Sequence, residues 1–436
     1  MFVSAGALAK AEWGGVVTPA ARIQAVIDIL EGMNASALPA DRFIREFFRA
    51  RRYAGSKDRA AVTDRVFAIA RHRASLAWRI GDESARALAI ASLLAEGIDM
   101  SGIDALFGGA GYGPPALTEQ ECEAIAAPAR PNPPLHVQGE FPAFLESELA
   151  RALGDHLLDE MRASQSRAPV DLRVNTLKAS RDEVLATLRA EGYAADPTRY
   201  SPFAIRIPSG DRLAALRQNK MFELGFFEFQ DEAAQIAALL ARARPGERIL
   251  DLAAGAGGKA LALAADVKNR GTLIACDIDA GRLAQLGPRA ERAGAVIEVH
   301  PGDAPPGPFD AVFVDAPCSG TGTWRRQPEL RWRINQARLD SLMIIQDTLL
   351  DQAAARVAPG RRIVYATCSL LPCENEDRIA QFLARHPDFA VRPAAKIWRE
   401  IVPDEPPPGM AEFFRATSHA TGTDGFFAAI LMRNAL

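Results

Sequence analysis

Two cysteines, Cys318 and Cys368, stand at the ends of apolar runs, DAVFVDAPC and RRIVYATCS, and Asp315 precedes the first by three residues. A mid-strand cysteine is usually a small hydrophobe, and Cys276 inside TLIACDID fits that reading; a thiol at a strand's carboxyl end beside a carboxylate is placed for reactivity. Cys122 and Cys373 read as ordinary packing residues. Because only the thiolate is nucleophilic, such a site calls for a cation, and Lys259 or a nearby arginine is the candidate. A second constellation lies upstream, where RILDLAA breaks at GAGGK and resumes as ALALAADV, the pattern of strand, glycine turn and helix. The turn, Ala253, Ala254, Gly255, Ala256, Gly257, Gly258 and Lys259, brings backbone NH groups close to a ligand. Asp277 ends the next strand, and a carboxylate about 20 residues past such a turn suits the two hydroxyls of a ribose. Asp279 is the better cap for the following AGRL helix. Asp303, after the third strand in PGDA, is placed to reach a base edge. The set points to a nucleoside ligand without saying which. Ala260 follows Lys259, so the Lys-Ser/Thr pair of a phosphate-binding loop is missing.

These residues need a scaffold that brings strand ends together. From residue 248 onward strands and helices alternate, the signature of a doubly wound α/β sheet, in which ligands bind beyond the carboxyl ends of the strands. Residues 20–125 carry apolar positions three and four apart with no alternating pattern, so the front of the chain is all-α. Proline-rich PNPPLHVQGEFP separates this front part from the rest of the chain. The expected domains are 1–130, all-α; 131–142, a linker; 143–225, a small α/β subdomain; and 226–436, the doubly wound core.

Length and composition agree with a multi-domain globular protein: 436 residues, 48% hydrophobic, net charge −3. Charge is uneven, however. Residues 41–80 hold eleven Lys/Arg against four Asp/Glu, and Arg49, Arg51, Arg52, Lys57 and Arg59 cluster around Tyr53. A solvated helix face would explain this, but a phosphate-contacting surface explains the asymmetry better. Trp324, Arg325, Arg326, Arg331, Trp332 and Arg333 interleave rings and cations just after Cys318, as stacking on single-stranded RNA would require. Asp424-Gly425 reads as a turn into the last strand. Five cysteines without metal-ligand spacing argue against a disulfide framework or bound metal. The opening residues lack an export signal and no run is long enough to span a membrane, so a cytoplasmic protein is expected; it is also expected to be a monomer.

The motifs DLAAGAGGK, DAPCSGTGTWRRQPELRW, ATCSLLPCENED and TGTDGFF, with DLRVNTL and FQDEAAQ upstream, resemble those of the RNA cytosine-5 methyltransferases of the Sun/Fmu type, particularly the RsmB-like ribosomal RNA enzymes. The basic front end resembles a NusB-type RNA-binding domain. The resemblance implies a seven-stranded Rossmann-like core binding S-adenosylmethionine and a ribosomal RNA partner. It implies Cys368 as nucleophile on cytosine carbon 6, Cys318 as the thiol that assists release, and Asp315 as the group that holds the base. Ala260, where threonine is common, and Ala253, where cysteine is frequent, depart from the pattern without removing a required group. Transfer RNA or, less readily, DNA are alternative substrates; a non-catalytic assembly factor is the alternative class, against which Cys368 and Asp315 are both present.

Overall fold

The computed structural model describes residues 17–435 except 37, 110, 211 and 212, so the stretch read for an export signal lies outside the described residues. By its internal packing the chain divides into two units, one through Ala143 and the other from Phe144.

The first unit is all-α, as expected, with helices at 19–35, 40–49, 56–71, 73–80, 85–95, 100–106 and 119–126. Helix 19–35 starts where the Thr18 hydroxyl accepts the Ala21 NH at 3.1 Å, with Pro19 in the first turn, where a missing NH costs nothing. Its face of Ile23, Val26, Ile27, Leu30 and Met33 shares one apolar cluster with Val62, Val66 and Ile69 and with Leu88, Ile90 and Leu93. Each such side chain contributes about 1.5–3 kcal/mol when buried. The segment expected to be a linker, 131–142, is a correction: it packs into this unit. A short helix spans 135–138, Phe141 is fully buried, and the buried Glu140 carboxylate accepts from the NH groups of Ala74 at 2.8 Å and Ser75 at 3.2 Å. Prolines end the preceding helix, but the apolar residues between them still find a core.

The second unit holds two sheets. The smaller contains β1 (170–174), β2 (196–197), β3 (204–207) and β4 (227–229), ordered β2-β3-β1-β4 and antiparallel throughout. Strand β4 lies past residue 225, so the expected boundary there cuts through this sheet. The larger contains β5 (248–251), β6 (272–277), β7 (298–301), β8 (309–315), β9 (357–367), β10 (389–391), β11 (414–416) and β12 (426–433). Seven of them run in the order β10-β12-β9-β8-β5-β6-β7, with β11 paired to β12 as an eighth. Strands β5 to β9 are mutually parallel, whereas β12 runs antiparallel beside β9. Phe426 to Leu431 of β12 are all buried, the pattern of a strand covered on both faces; β7 at the edge is exposed throughout and ends in Pro301. Because β5 lies between β6 and β8, the chain reverses its winding direction at β5, and a crevice opens at the strand ends there.

Candidate active site

The glycine turn leaves β5 at Asp251. Gly255 (φ 54°) and Gly257 (φ 85°) adopt left-handed backbone, and a Cβ on Gly257 would fall 2.2 Å from Leu286 Cδ1; only glycine fits there. The Asp277 carboxylate, at the end of β6, accepts from the Gly255 NH and the Asp279 NH, each at 2.7 Å. It thus fixes the turn and keeps further lone pairs able to accept from a ligand. Asp279 caps the next helix by accepting from the Arg282 NH, as expected. Asp303 is exposed just past β7, and Gly302 beside it donates to the Asp277 carbonyl at 3.1 Å. Arg289 Nη1 donates to the Ala256 carbonyl at 2.5 Å, tying down the far side of the turn.

Asp251 is concealed in an apolar run and carries no expectation from sequence, yet it is a fully buried acid at the end of β5, beside the glycine turn. It is 0% exposed, and neither oxygen has a partner in good hydrogen-bond geometry, although the Ala260 NH faces it. Burial, then Asp315 and Asp277, push its carboxyl up to about 8, against the pull of Lys259. An unsatisfied buried carboxylate beside a glycine cradle fits a ligand that brings its own positive charge, as the ammonium and sulfonium groups of S-adenosylmethionine do.

Lys259, expected to serve the thiols, is buried and its Nζ lies 3.1 Å from Asp315 Oδ2, 4.8 Å from the centre of the Phe426 ring. Its charge is therefore spent on Asp315, which ends β8 one-third exposed, and it positions that carboxylate. The two thiols do meet: Cys318 Sγ and Cys368 Sγ are 3.4 Å apart, both half-buried. Contact with Cys368, then burial, hold the Cys318 thiol well above its usual range, and either sulfur can be the donor in the contact. Cys276 is buried, and burial pushes its thiol up to about 11; it is a core residue, as the sequence implied. Burial and Glu148 likewise push Cys373 up. Among the described residues no cluster of His, Cys, Asp or Glu could hold a metal ion.

One expectation is overturned. Trp324 and Arg331 are fully buried and Arg325 is 5% exposed, so the interleaved rings and cations do not form an RNA platform. Arg325 Nε binds Asp424 Oδ1 at 2.8 Å, and Arg326 binds Asp424 Oδ2 at 2.5 Å and Asp231 Oδ2 at 2.7 Å. Arg331 donates to Ser164 and lies 5.0 Å from the centre of the Trp324 ring. The segment is a buried clamp that ties the loop after Cys318 to the turn before β12. Asp424, read from sequence as a simple turn residue, is the clamp's shared anion. Arg333 is half-buried and remains a candidate contact.

In the helical unit, Arg49, Arg52 and Lys57 are exposed, while Arg51 stacks 3.7 Å above Phe47 and Arg59 donates to the Ala54 carbonyl. Arg45, one helical turn before the basic cluster and not marked by it in sequence, joins Phe48, Arg49, Arg52 and Arg59 around a shallow groove of about 550 Å³. Four guanidinium groups around one concavity suit polyanion binding.

Glu374 also carries no expectation from sequence. It is fully buried behind the cysteines, accepting from the Ser319 NH at 2.8 Å and from the hydroxyls of Ser319 and Ser369, each at 2.5 Å. The loop after Cys318 is further pinned where Gly322 donates to the Cys368 carbonyl at 2.9 Å and accepts from the Gly425 NH at 2.8 Å.

Comparison with known proteins bears on this geometry. Residues 237–432 match the family model of the 16S rRNA methyltransferases RsmB/F, and residues 141–212 match its ferredoxin-like domain. The chain is 33% identical to ribosomal RNA small subunit methyltransferase B of Erwinia tasmaniensis over 67% of this chain and 66% of that protein. For the enzyme of the same name from Photorhabdus laumondii the figures are 32%, 67% and 66%. The alignments thus span just under two thirds of the length of these curated relatives. Among solved structures, that of PH0851 has a TM-score of 0.72 at 25% identity, covering 95% of this chain and 99% of that one. NSun6 from Pyrococcus horikoshii has a TM-score of 0.58 at 20% identity, covering 67% and 98%, a likeness of fold. The glycine turn, the paired thiols and these matches fall on the same strands, and the chain belongs to the RsmB-like, Sun/Fmu-type methyltransferase family, whose methyl donor is S-adenosylmethionine.

Proposed function

We propose that this protein transfers a methyl group from S-adenosylmethionine to carbon 5 of a cytosine in RNA, and that the RNA is small-subunit ribosomal RNA, as the names of its relatives say of them. The observation that carries the reading is the pair of sulfurs 3.4 Å apart beyond the ends of the paired strands β8 and β9. Carbon 5 of cytosine is a poor nucleophile, so a thiolate must first add at carbon 6; one thiol forms that bond and a second group is needed to undo it. Cys368 is the nucleophile. As Cys368 adds, its proton passes by way of solvent to the ring nitrogen, which Asp315, steadied by Lys259, holds together with the amino group; that proton returns to solvent when the Cys368 sulfur is expelled. Asp251, Asp277 and the glycine turn, with Asp303, would hold the cofactor, which when bound would supply an electrophilic methyl group. Once Cys368 is bonded to carbon it is a neutral thioether, and the contact that held the Cys318 proton is gone. Cys318, its proton surrendered to solvent, then takes the proton from carbon 5, and the electrons left behind expel the Cys368 sulfur.

The target cytosine must be unpaired or drawn out of a helix at a cost of a few kcal/mol. The arginine groove at Arg45, Arg49, Arg52 and Arg59 supports delivery of RNA through its phosphates. The test is methyl transfer from labelled S-adenosylmethionine to unmodified small-subunit RNA, with the position read by bisulfite sequencing. Cys368→Ala is expected to abolish transfer, and Cys318→Ala to accumulate an RNA adduct that survives denaturing gels. Label in a base other than cytosine, or turnover by Cys368→Ala, would overturn the reading.

A further inference from the structure

The two cysteine loops are tied to each other before and after the sulfurs. Strands β8 and β9 pair in parallel as far as Asp315 and Ala366, and the Ala316 NH donates to the Ala366 carbonyl at 2.9 Å. Past the thiols, the Gly322 NH donates to the Cys368 carbonyl at 2.9 Å and the Leu370 NH to the Thr321 hydroxyl at 2.8 Å. The buried Glu374 carboxylate accepts from the hydroxyls of Ser319 and Ser369, which directly follow the two cysteines. Neighbouring strands lie about 4.8 Å apart, and a disulfide spans Cα atoms about 4.4–6.8 Å apart, so the frame suits a bond between the loops. Within it Cys318 Sγ and Cys368 Sγ lie 3.4 Å from each other, and both residues are partly exposed. The other cysteines are engaged elsewhere. Cys276 Sγ donates to the Gly302 carbonyl at 2.9 Å, the Cys373 thiol faces Glu148, and Cys122 belongs to the helical unit.

We propose that Cys318 and Cys368 form an oxidation site: a hydroperoxide closes them into a disulfide that blocks the crevice, and a dithiol reopens it. One sulfur takes an oxygen atom from hydrogen peroxide and becomes a sulfenic acid, releasing water. The second sulfur attacks the sulfenic sulfur and expels hydroxide, which leaves as water with the proton of the second thiol. Two thiols and one hydrogen peroxide thus give one disulfide and two waters; the sulfurs lose two electrons to the O–O bond. Either cysteine can be oxidised first. A sulfenic acid already in contact with a thiol is captured before a second peroxide converts it to the irreversible sulfinic acid. The effect on catalysis rests on the methyl-transfer reading above: neither sulfur is then free for carbon 6 or for the carbon 5 proton. The glycine turn and Asp277 belong to β5 and β6, so cofactor binding survives the oxidation.

The test treats the reduced full chain with one equivalent of hydrogen peroxide at neutral pH. Free thiols are then capped with N-ethylmaleimide in denaturant, and peptides are read by mass spectrometry. The expected product joins Cys318 to Cys368, with caps on Cys122, Cys276 and Cys373, and dithiothreitol returns caps to all five cysteines. Cys373→Ala should form the same bond. In Cys318→Ala, Cys368 should instead proceed to a sulfinic acid that dithiothreitol does not reverse. Wild-type cysteines that end as sulfinic acids without the link, or a link from Cys368 to Cys373, overturn the proposal. Methyl transfer should fall in proportion to the linked fraction and return with dithiothreitol, while calorimetry shows S-adenosylmethionine still binding. Linked chains that still transfer methyl, or that no longer bind the cofactor, overturn the block as described. A link that forms in a chain whose reduced form methylates no cytosine defeats the methyl-transfer reading and leaves the oxidation site standing.

Discussion

Replacing Asp251 with asparagine separates what the crevice costs the fold from what it gives the ligand. In the folded protein this carboxyl titrates at about 8, and in an unfolded chain at about 4. The folded state therefore prefers the protonated acid. Its contribution to stability is fully present below about pH 4 and is lost as pH rises toward 8, at about 1.4 kcal/mol per pH unit. Asp251 is 0% exposed, so solvent screening does not reduce this. From pH 5 to pH 7 the carboxyl should cost the wild type about 3 kcal/mol that an amide does not cost. Urea unfolding of wild type and Asp251→Asn at pH 5, 6 and 7, followed by fluorescence of the buried Trp324 and Trp398, measures the gap between them; groups common to both cancel. The variant is expected to gain on the wild type steadily across the range. A gap that stays constant, or that narrows with rising pH, refutes the assignment of an unsatisfied buried carboxyl. The amide offers no charge, so the same variant should bind S-adenosylmethionine more weakly by about tenfold or more in calorimetry. More stable and less able to bind is the combined signature.

Asp424→Ala removes the shared anion of Arg325 and Arg326; a broken buried pair of this kind costs about 3–5 kcal/mol. Denaturation should show that loss, and stability within about 0.5 kcal/mol of wild type would mean the clamp is not what holds the loop. In the helical unit, Arg49→Ala, Arg52→Ala and Arg59→Ala combined should make the dependence of RNA affinity on salt shallower by about two in slope, for three phosphate contacts on single-stranded RNA. An unchanged slope in filter binding would place the phosphate contacts elsewhere.

Where strand ends coincide with unusual residues the sequence could be read directly. Cys318, Cys368, Asp315, Asp277 and the glycine turn follow apolar runs whose parallel pairing brings them to one edge, and pairing of that kind is implied by alternation of strands and helices. The arginines after Cys318 show the limit. Trp-Arg-Arg and Arg-Trp-Arg have the composition of an RNA platform, but the partners of Arg326, Asp231 and Asp424, lie 95 and 98 residues away, and that of Arg331, Ser164, lies 167 residues away. Asp251 escaped because a single acid within RILDLAA leaves the apolar pattern of the strand intact. Strands β10 and β11 have three residues each, too few for a period to show. The boundary at residue 225 failed because β4 pairs with β1, a contact that local sequence does not encode.

Gly322 bears on how the protein comes into being. It touches the Cys368 loop on one side and Gly425 on the other, and a Cβ on it would fall 2.1 Å from the Gly425 oxygen. Gly425 directly precedes β12, which inserts between β9 and β10. During synthesis both thiols leave the ribosome well before the segment that closes the loops around them. A nascent chain that already carries both cysteines thus still lacks the Gly322–Gly425 contact, which forms when β12 takes its place between β9 and β10.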